Sequence, residues 1–206
     1  MAPVASRPAR RTTPKGAQTR ARIVAEAARI FARDGYRAGS LAAIADAAGL
    51  TQPGLLHYFP TKAALLLALI EERDARTAAF VRRHTGSEDP AETALDGFVD
   101  GVRHNTEEPH LVELMTVLSA ESISPDHPAH DWFVHRYDEL VARLAAGVSL
   151  EQRVGRWRSE IDPVHAARLL VALADGLRLQ RLLGRPDLDH AALLADLLQR
   201  LRTGTP

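Results

Sequence analysis

Residues 40 to 62, SLAAIADAAGLTQPGLLHYFPTK, leave this chain less conformational choice than any other stretch. Ser40 is an N-cap residue, able to accept a hydrogen bond from an N–H that the first turn of a helix leaves free. Leu41, Ile44, Ala45 and Ala48 follow it at i, i+3, i+4 and i+7, which is one apolar helix face. Gly49 takes the left-handed conformation that ends a helix at no steric cost, Thr51 is a second N-cap, and Pro53 falls in the first turn after it. The stretch reads as two short helices separated by Ala48-Gly49-Leu50, a helix-turn-helix.

Such a turn holds the second helix across the first and directs its N-terminal residues outward. Gln52 offers a donor and an acceptor together, as an adenine edge requires, while Pro53 and Gly54 let the helix approach thymine methyls and backbone closely. Thr51, Gln52, Pro53, Gly54 and His57 are therefore candidates for base contact. Ser40, Tyr58 and Lys62 are candidates for phosphate contact, Lys62 standing at a helix start whose free N–H groups also attract anions. Small Ala-Gly hairpins also occur in bundles that never touch DNA, so the pattern does not decide alone.

The run Ile44-Ala45, Ala48-Gly49-Leu50-Thr51, Leu55, Tyr58-Phe59 and Lys62, preceded by an amphipathic helix ending in Gly35-Tyr36, resembles the DNA-binding domain of the TetR family of bacterial transcriptional repressors. The resemblance is specific over about residues 19 to 66, and beyond them it is one of helix count and layout. It implies an all-α fold: an N-terminal three-helix DNA-binding domain, then a larger helical domain for ligand binding and dimerisation over 67–206. In the family the last two long helices build a four-helix dimer interface. The chain departs from the family at Leu56, where a tyrosine that meets a phosphate is usual, leaving Tyr58 or His57 to substitute.

Composition supports the helical reading. Hydrophobic residues make up 46% of the 206 and aromatics 5%, with Ala, Leu, Arg and the acids dominant and no strand-like alternation. Cysteine is absent, which excludes disulfides and thiolate sites. No apolar leader or spanning run exists, the longest apolar run being Ala63 to Ile70, so a cytoplasmic protein that keeps away from membranes is expected. Net charge is formally zero but unevenly spread: residues 1–64 hold 10 Lys/Arg against 3 Asp/Glu, a net of +7, and the remainder carries −7. The two parts face different partners, double-stranded DNA for the first.

Residues 1 to 18, with Pro3, Pro8 and Pro14 among basic residues, read as a disordered basic arm, lying along phosphates or merely solubilising. Thr19 caps the first helix, Gly35 stops it, and Arg20 and Arg22 are further phosphate candidates. Thr61 caps a helix without Gly or Pro to about Arg83, a lever long enough to join the two domains. Asp89-Pro90-Ala91-Glu92 is a capping box, Ser119 to His127 a polar connection, Pro128 a helix start, and residues 149 to 161 a loop. Asp162-Pro163 and Asp189 open the last two helices.

Phe80, Phe98, Val102, Met115, Leu118, Trp132, Phe133 and Tyr137 recur at helical spacing and can line a small-molecule cavity, with Tyr137, His104 or Asn105 as polar points, or form plain core. Leu169, Leu173, Leu177, Gln180, Leu194, Leu197, Leu198 and Leu201 supply more leucine than one core needs and point to a homodimer, internal core being the other reading. His127, His130 and His135 with Asp126 and Asp131 have metal-ligand chemistry but diverge around a helix. No cofactor or catalytic motif is legible, so a regulator is expected and not an enzyme. The alternative is a helical small-molecule-binding protein or enzyme without DNA regulation.

Overall fold

A helix begins at each of five places where the sequence sets Ser, Thr or Asp ahead of an apolar repeat. In the computed structural model, Ser40, Thr51, Thr61, Asp162 and Asp189 each accept a hydrogen bond from the N–H three residues on, at 2.8 to 3.4 Å. Thr61→Ala removes one of these bonds from an exposed helix start. It is expected to cost about 1 kcal/mol, read as a lower denaturant midpoint at unchanged m-value.

The structure describes residues 14–86 and 91–202, and the described residues form helices connected by turns, with no β-strand. They are α1 (Pro14–Ala38), α2 (Leu41–Ala47), α3 (Gln52–Tyr58), α4 (Lys62–Thr85), α5 (Ala94–Asn105), α6 (Pro109–Glu121), α7 (His130–Arg153), α8 (Pro163–Leu182) and α9 (His190–Leu201). The all-α expectation therefore holds.

Several boundaries differ from those read in the sequence. Helix α1 starts at Pro14, not at Thr19, whose hydroxyl donates back to the Lys15 carbonyl at 3.0 Å inside the helix. Proline suits a first helical turn, and a helix anchored by a buried face propagates back through Lys15 to Gln18. Residues 14–18 thus leave the disordered arm, and the rest of it, 1–13, lies outside the described residues. Gly35 interrupts α1 as expected, at φ 75° and ψ 167°. Asp89 and Pro90 of the capping box also lie outside the described residues, and α5 begins only at Ala94. Helix α6 runs to Glu121, α7 starts at His130 and not at Pro128, and it continues to Arg153. The supposed loop loses its first residues because Val148 and Glu151 keep the buried face going. Trp157, in the remaining loop, is buried and pairs its backbone with Arg202 beyond α9.

Two apolar clusters organise the helices. The first gathers Ile23, Ala27, Ile30 and Phe31 of α1, Ile44 of α2, Leu55 of α3 and Leu65, Leu66, Leu69 and Ile70 of α4, but it also takes in Leu111, Leu114, Met115 and Leu118 of α6 and Phe133 of α7. The second joins α5, α7, α8 and α9 through Leu95, Val99, Leu144, Val148, Leu170, Leu194 and Leu198. Each fully buried large side chain contributes about 1.5–3 kcal/mol, so both clusters stabilise their helices far beyond intrinsic propensity.

Candidate functional site

Helix α3 is built to stand proud of its neighbours. Leu55 pins it to the core and Phe59 buries itself just past its end, while Thr51, Gln52, Pro53 and His57 are exposed. Gly49 has φ 65°, and an added Cβ there would meet nothing within 4 Å, so the left-handed backbone and not crowding requires glycine in the turn. Thr51 spends its hydroxyl on the Gly54 N–H at 3.2 Å. His57 and Tyr58 meet edge to face at 5.7 Å, Tyr58 half-buried, and both flank the partly exposed Leu56. Ser40, exposed, caps α2 on the neighbouring corner.

Three of the basic candidates are placed differently. Arg20 is half-exposed and bonds Glu72 of α4 at 2.7 Å while lying over the Phe59 ring, so its head is engaged within the protein. Arg22 is exposed. Lys62 turns inward: its Nζ donates to the Arg37 carbonyl at 3.0 Å and sits 4.7 Å from the Tyr36 ring centre. Burial lowers its pKa, opposed by the charge of Glu121. Glu121, at the end of α6, accepts from the Tyr36 N–H at 3.0 Å, and Tyr36 packs edge-on against His127. The corner holding α2 and α3 is thereby tied to the end of α6, a contact with no sequence signal because Tyr36 and Glu121 are 85 residues apart.

A cavity of about 820 Å³ opens between α4, α5, α6, α7, α8 and α9, within the size range of small-molecule sites. Phe98, Val102, Met115, Phe133 and Tyr137 line it, as does Asn105, while Phe80, Leu118 and Trp132 do not. Phe80 stacks between His84 and His104, Leu118 is wholly inside the first cluster, and Trp132 lies under Arg136. Helical spacing gave the face but not the depth at which each side chain sits.

Sequence reading missed the charged wall. Arg73, Asp74 and Thr77 of α4, Arg136 of α7, Asp175 and Arg178 of α8 and His190 of α9 all line the cavity. Arg136 bonds Asp74, and Asp175 accepts from the Tyr137 hydroxyl at 2.6 Å and forms an ion pair with Arg178 at 3.0 Å. Burial, then the Asp175 bond, push the Tyr137 hydroxyl up to about 12. These residues come from four helices spread between positions 73 and 190, so no local pattern announces them.

The histidines with metal-ligand chemistry do not converge among the described residues. Buried His127 meets the Ser122 hydroxyl at 2.8 Å, His130 meets the Ser122 carbonyl at 2.8 Å, and exposed His135 pairs with Glu139. On α8 and α9, Leu177, Leu194 and Leu198 are inside the subunit and so form no surface. Leu169 is 71% exposed, Gln180 is exposed, and Leu173, Leu197 and Leu201 are half-buried. Leu179, Leu182, Leu183 and Leu193 are exposed as well, and are not among the leucines assigned from the sequence to a dimer interface.

Known proteins share both the motif and the layout. Residues 23–69 match the family model described as bacterial regulatory proteins, tetR family. The A-factor receptor protein of Streptomyces griseus is 29% identical over 170 residues, which are 80% of this chain and 55% of the receptor, so the chain spans about half of that relative's length. A TetR transcriptional regulator from Chloroflexus aurantiacus superposes with a TM-score of 0.73 at 26% identity, covering 92% of this chain and 98% of its own. A transcriptional regulator from Saccharomonospora viridis, solved in complex with choline, superposes with a TM-score of 0.74 over 90% of this chain and 98% of its own, and at 22% identity shares the fold. With the helix-turn-helix, the all-helical body behind it and these likenesses in agreement, residues 23–69 are a DNA-binding domain of the tetR family of bacterial regulatory proteins, set in a chain that shares the fold of TetR regulators.

Proposed function

We propose that this chain is a ligand-responsive repressor that binds a palindromic operator as a homodimer in the cytoplasm. The observation that carries the reading is α3, capped at Thr51, pinned at Leu55 and offering Gln52, Pro53 and His57 outward at the +7 end of the chain. In this division residues 19–66 read DNA, and 67–206 bind the effector and dimerise. Thr51, Gln52, Pro53, Gly54 and His57 approach bases, and Ser40, Tyr58 and Lys62 position phosphates, Lys62 through the two N–H donors that Arg37 leaves unused.

The mechanism is linkage. An effector that fits the cavity better when the two reading heads are wrongly spaced weakens operator binding by its differential affinity, typically about 1–3 kcal/mol. Helix α4 runs from Lys62 to the cavity wall, and α6 contributes Met115 to the cavity and Glu121 to the α1 corner. These are the two elements through which cavity and head are coupled. That the relative from Saccharomonospora viridis was solved with choline supports a small-molecule effector in this layout.

Selection of sites from random duplex DNA tests the reading directly. An enriched palindrome is the expected result, and no enrichment from a folded dimer would remove it. On the selected site, Gln52→Ala is expected to relax preference at one base position at a cost of about 1–3 kcal/mol. Lys62→Ala should weaken operator and random DNA alike and reduce the salt slope by about one.

A further inference from the structure

The cavity wall contains donors for which the described residues supply no acceptor. Arg73 is 7% exposed, makes no hydrogen bond through its guanidinium to any described residue, and has Asp74 as its nearest carboxylate at 3.8 Å. Arg178 Nε and His190 Nδ1, on the same wall, are buried without a partner among the described residues. Both carboxylates there are already engaged, Asp74 by Arg136 and Asp175 by Tyr137 and Arg178. Five arginines line the cavity; Arg82 and Arg143 are exposed to solvent, and the other three, Arg73, Arg136 and Arg178, stand against two aspartates, which leaves one positive charge over in the part of the wall shielded from water. Burial and the neighbouring Arg136 bring the Arg73 pKa down to about 10, which leaves it charged at neutral pH, and burial and Arg181 hold His190 toward its neutral form. Leaving such groups unsatisfied is costly, and native proteins retain them where a function needs them. Val81, Phe98, Val102, Met115, Leu140 and Val171 make up an apolar part of the lining.

We infer that the cavity takes an amphipathic monocarboxylate, its single negative charge held by Arg73 beside Arg178 and Arg136 and its apolar body lying along Phe98, Val102 and Val171. A carboxylate matches both the planar fork of a guanidinium and the one surplus charge, whereas a phosphate monoester brings close to two negative charges. A neutral ligand can offer Arg73 an acceptor but no countercharge, and a cation adds to the surplus. The inference rests on the effector-binding reading above and names the chemical class of that effector.

Calorimetric titration of the full chain with straight-chain acids from hexanoate to dodecanoate, phenylacetate and phenylpropionate, each beside its primary amide, tests it, with decyl phosphate as a further arm. At least one acid is expected to bind tenfold or more tighter than its amide and tighter than decyl phosphate. Arg73→Met should remove that preference and, because an uncompensated buried charge is gone, raise the melting temperature of the ligand-free protein by about 2–4 °C. Equal binding of acid and amide, tighter binding of the phosphate, no binding by any acid, or an Arg73→Met variant that folds and keeps the preference for acid would overturn it. The wild-type acid and amide comparison stands even if the variant does not fold. An acid that binds but leaves operator affinity unchanged would sink the regulatory coupling and spare this inference, and a neutral compound that releases the operator would do the reverse.

Discussion

Phe31→Ala is expected to lower the unfolding free energy by about 3–5 kcal/mol, the usual cost of emptying an aromatic site in a packed core. Phe31 is fully buried, meets Tyr36 edge-on at 5.6 Å, and occupies the space beside Gly39 so closely that a Cβ there would lie 2.6 Å from its ring. The ring therefore sets the turn that delivers Ser40 to the start of α2 and, through Tyr36, the seat of Lys62. Operator binding should fall together with stability, whereas Phe31→Leu, which keeps most of the volume, should retain both. Urea unfolding followed beside DNA binding checks this, and an alanine variant of wild-type stability would show that the corner is held elsewhere.

The second large effect concerns assembly. Leu169, Leu173, Gly176, Gln180 and Leu183 fall on one face of α8, with Leu169 71% and Leu183 77% exposed, and a Cβ at Gly176 would meet nothing within 4 Å. On the dimer proposed above, this face receives its two-fold copy, with Leu193 of α9 beside it. Leu169→Glu combined with Leu183→Glu should yield a monomer by analytical ultracentrifugation. Operator affinity should then drop by roughly 10²–10⁴-fold, because each half-site is read without the other, while affinity for an isolated half-site stays the same. A double variant that remains dimeric would move the interface off α8.

Helix starts were legible at Ser40, Thr51, Thr61, Asp162 and Asp189, where a cap precedes an apolar repeat, but not at Thr19, which lies inside α1. Boundaries failed where a helix continues beyond its local signal, by propagation from an anchored segment back to Pro14 and by burial of Val148 and Glu151 on the way to Arg153. The outward residues of α3 were readable because turn chemistry orients that helix locally. The cavity was only half readable: apolar periodicity found Phe98, Val102, Met115, Phe133 and Tyr137. Arg73, Arg136 and Arg178 look in sequence like solvated helix charges, and only the packing of α4, α7 and α8 gathers them. Similarly, a leucine-rich helix such as α9 carries two apolar faces, and sequence alone does not say that Leu194 points in and Leu193 out.

The shared cluster of α1 to α4 with α6 limits how this molecule can be recombined. A graft cut after residue 66 would carry the reading helices away without Leu111, Leu114 and Leu118, stripping Phe31 and its neighbours of part of their cover. Chimeras that transplant the reading head onto a foreign body therefore need to bring α6 with it or to match its surface.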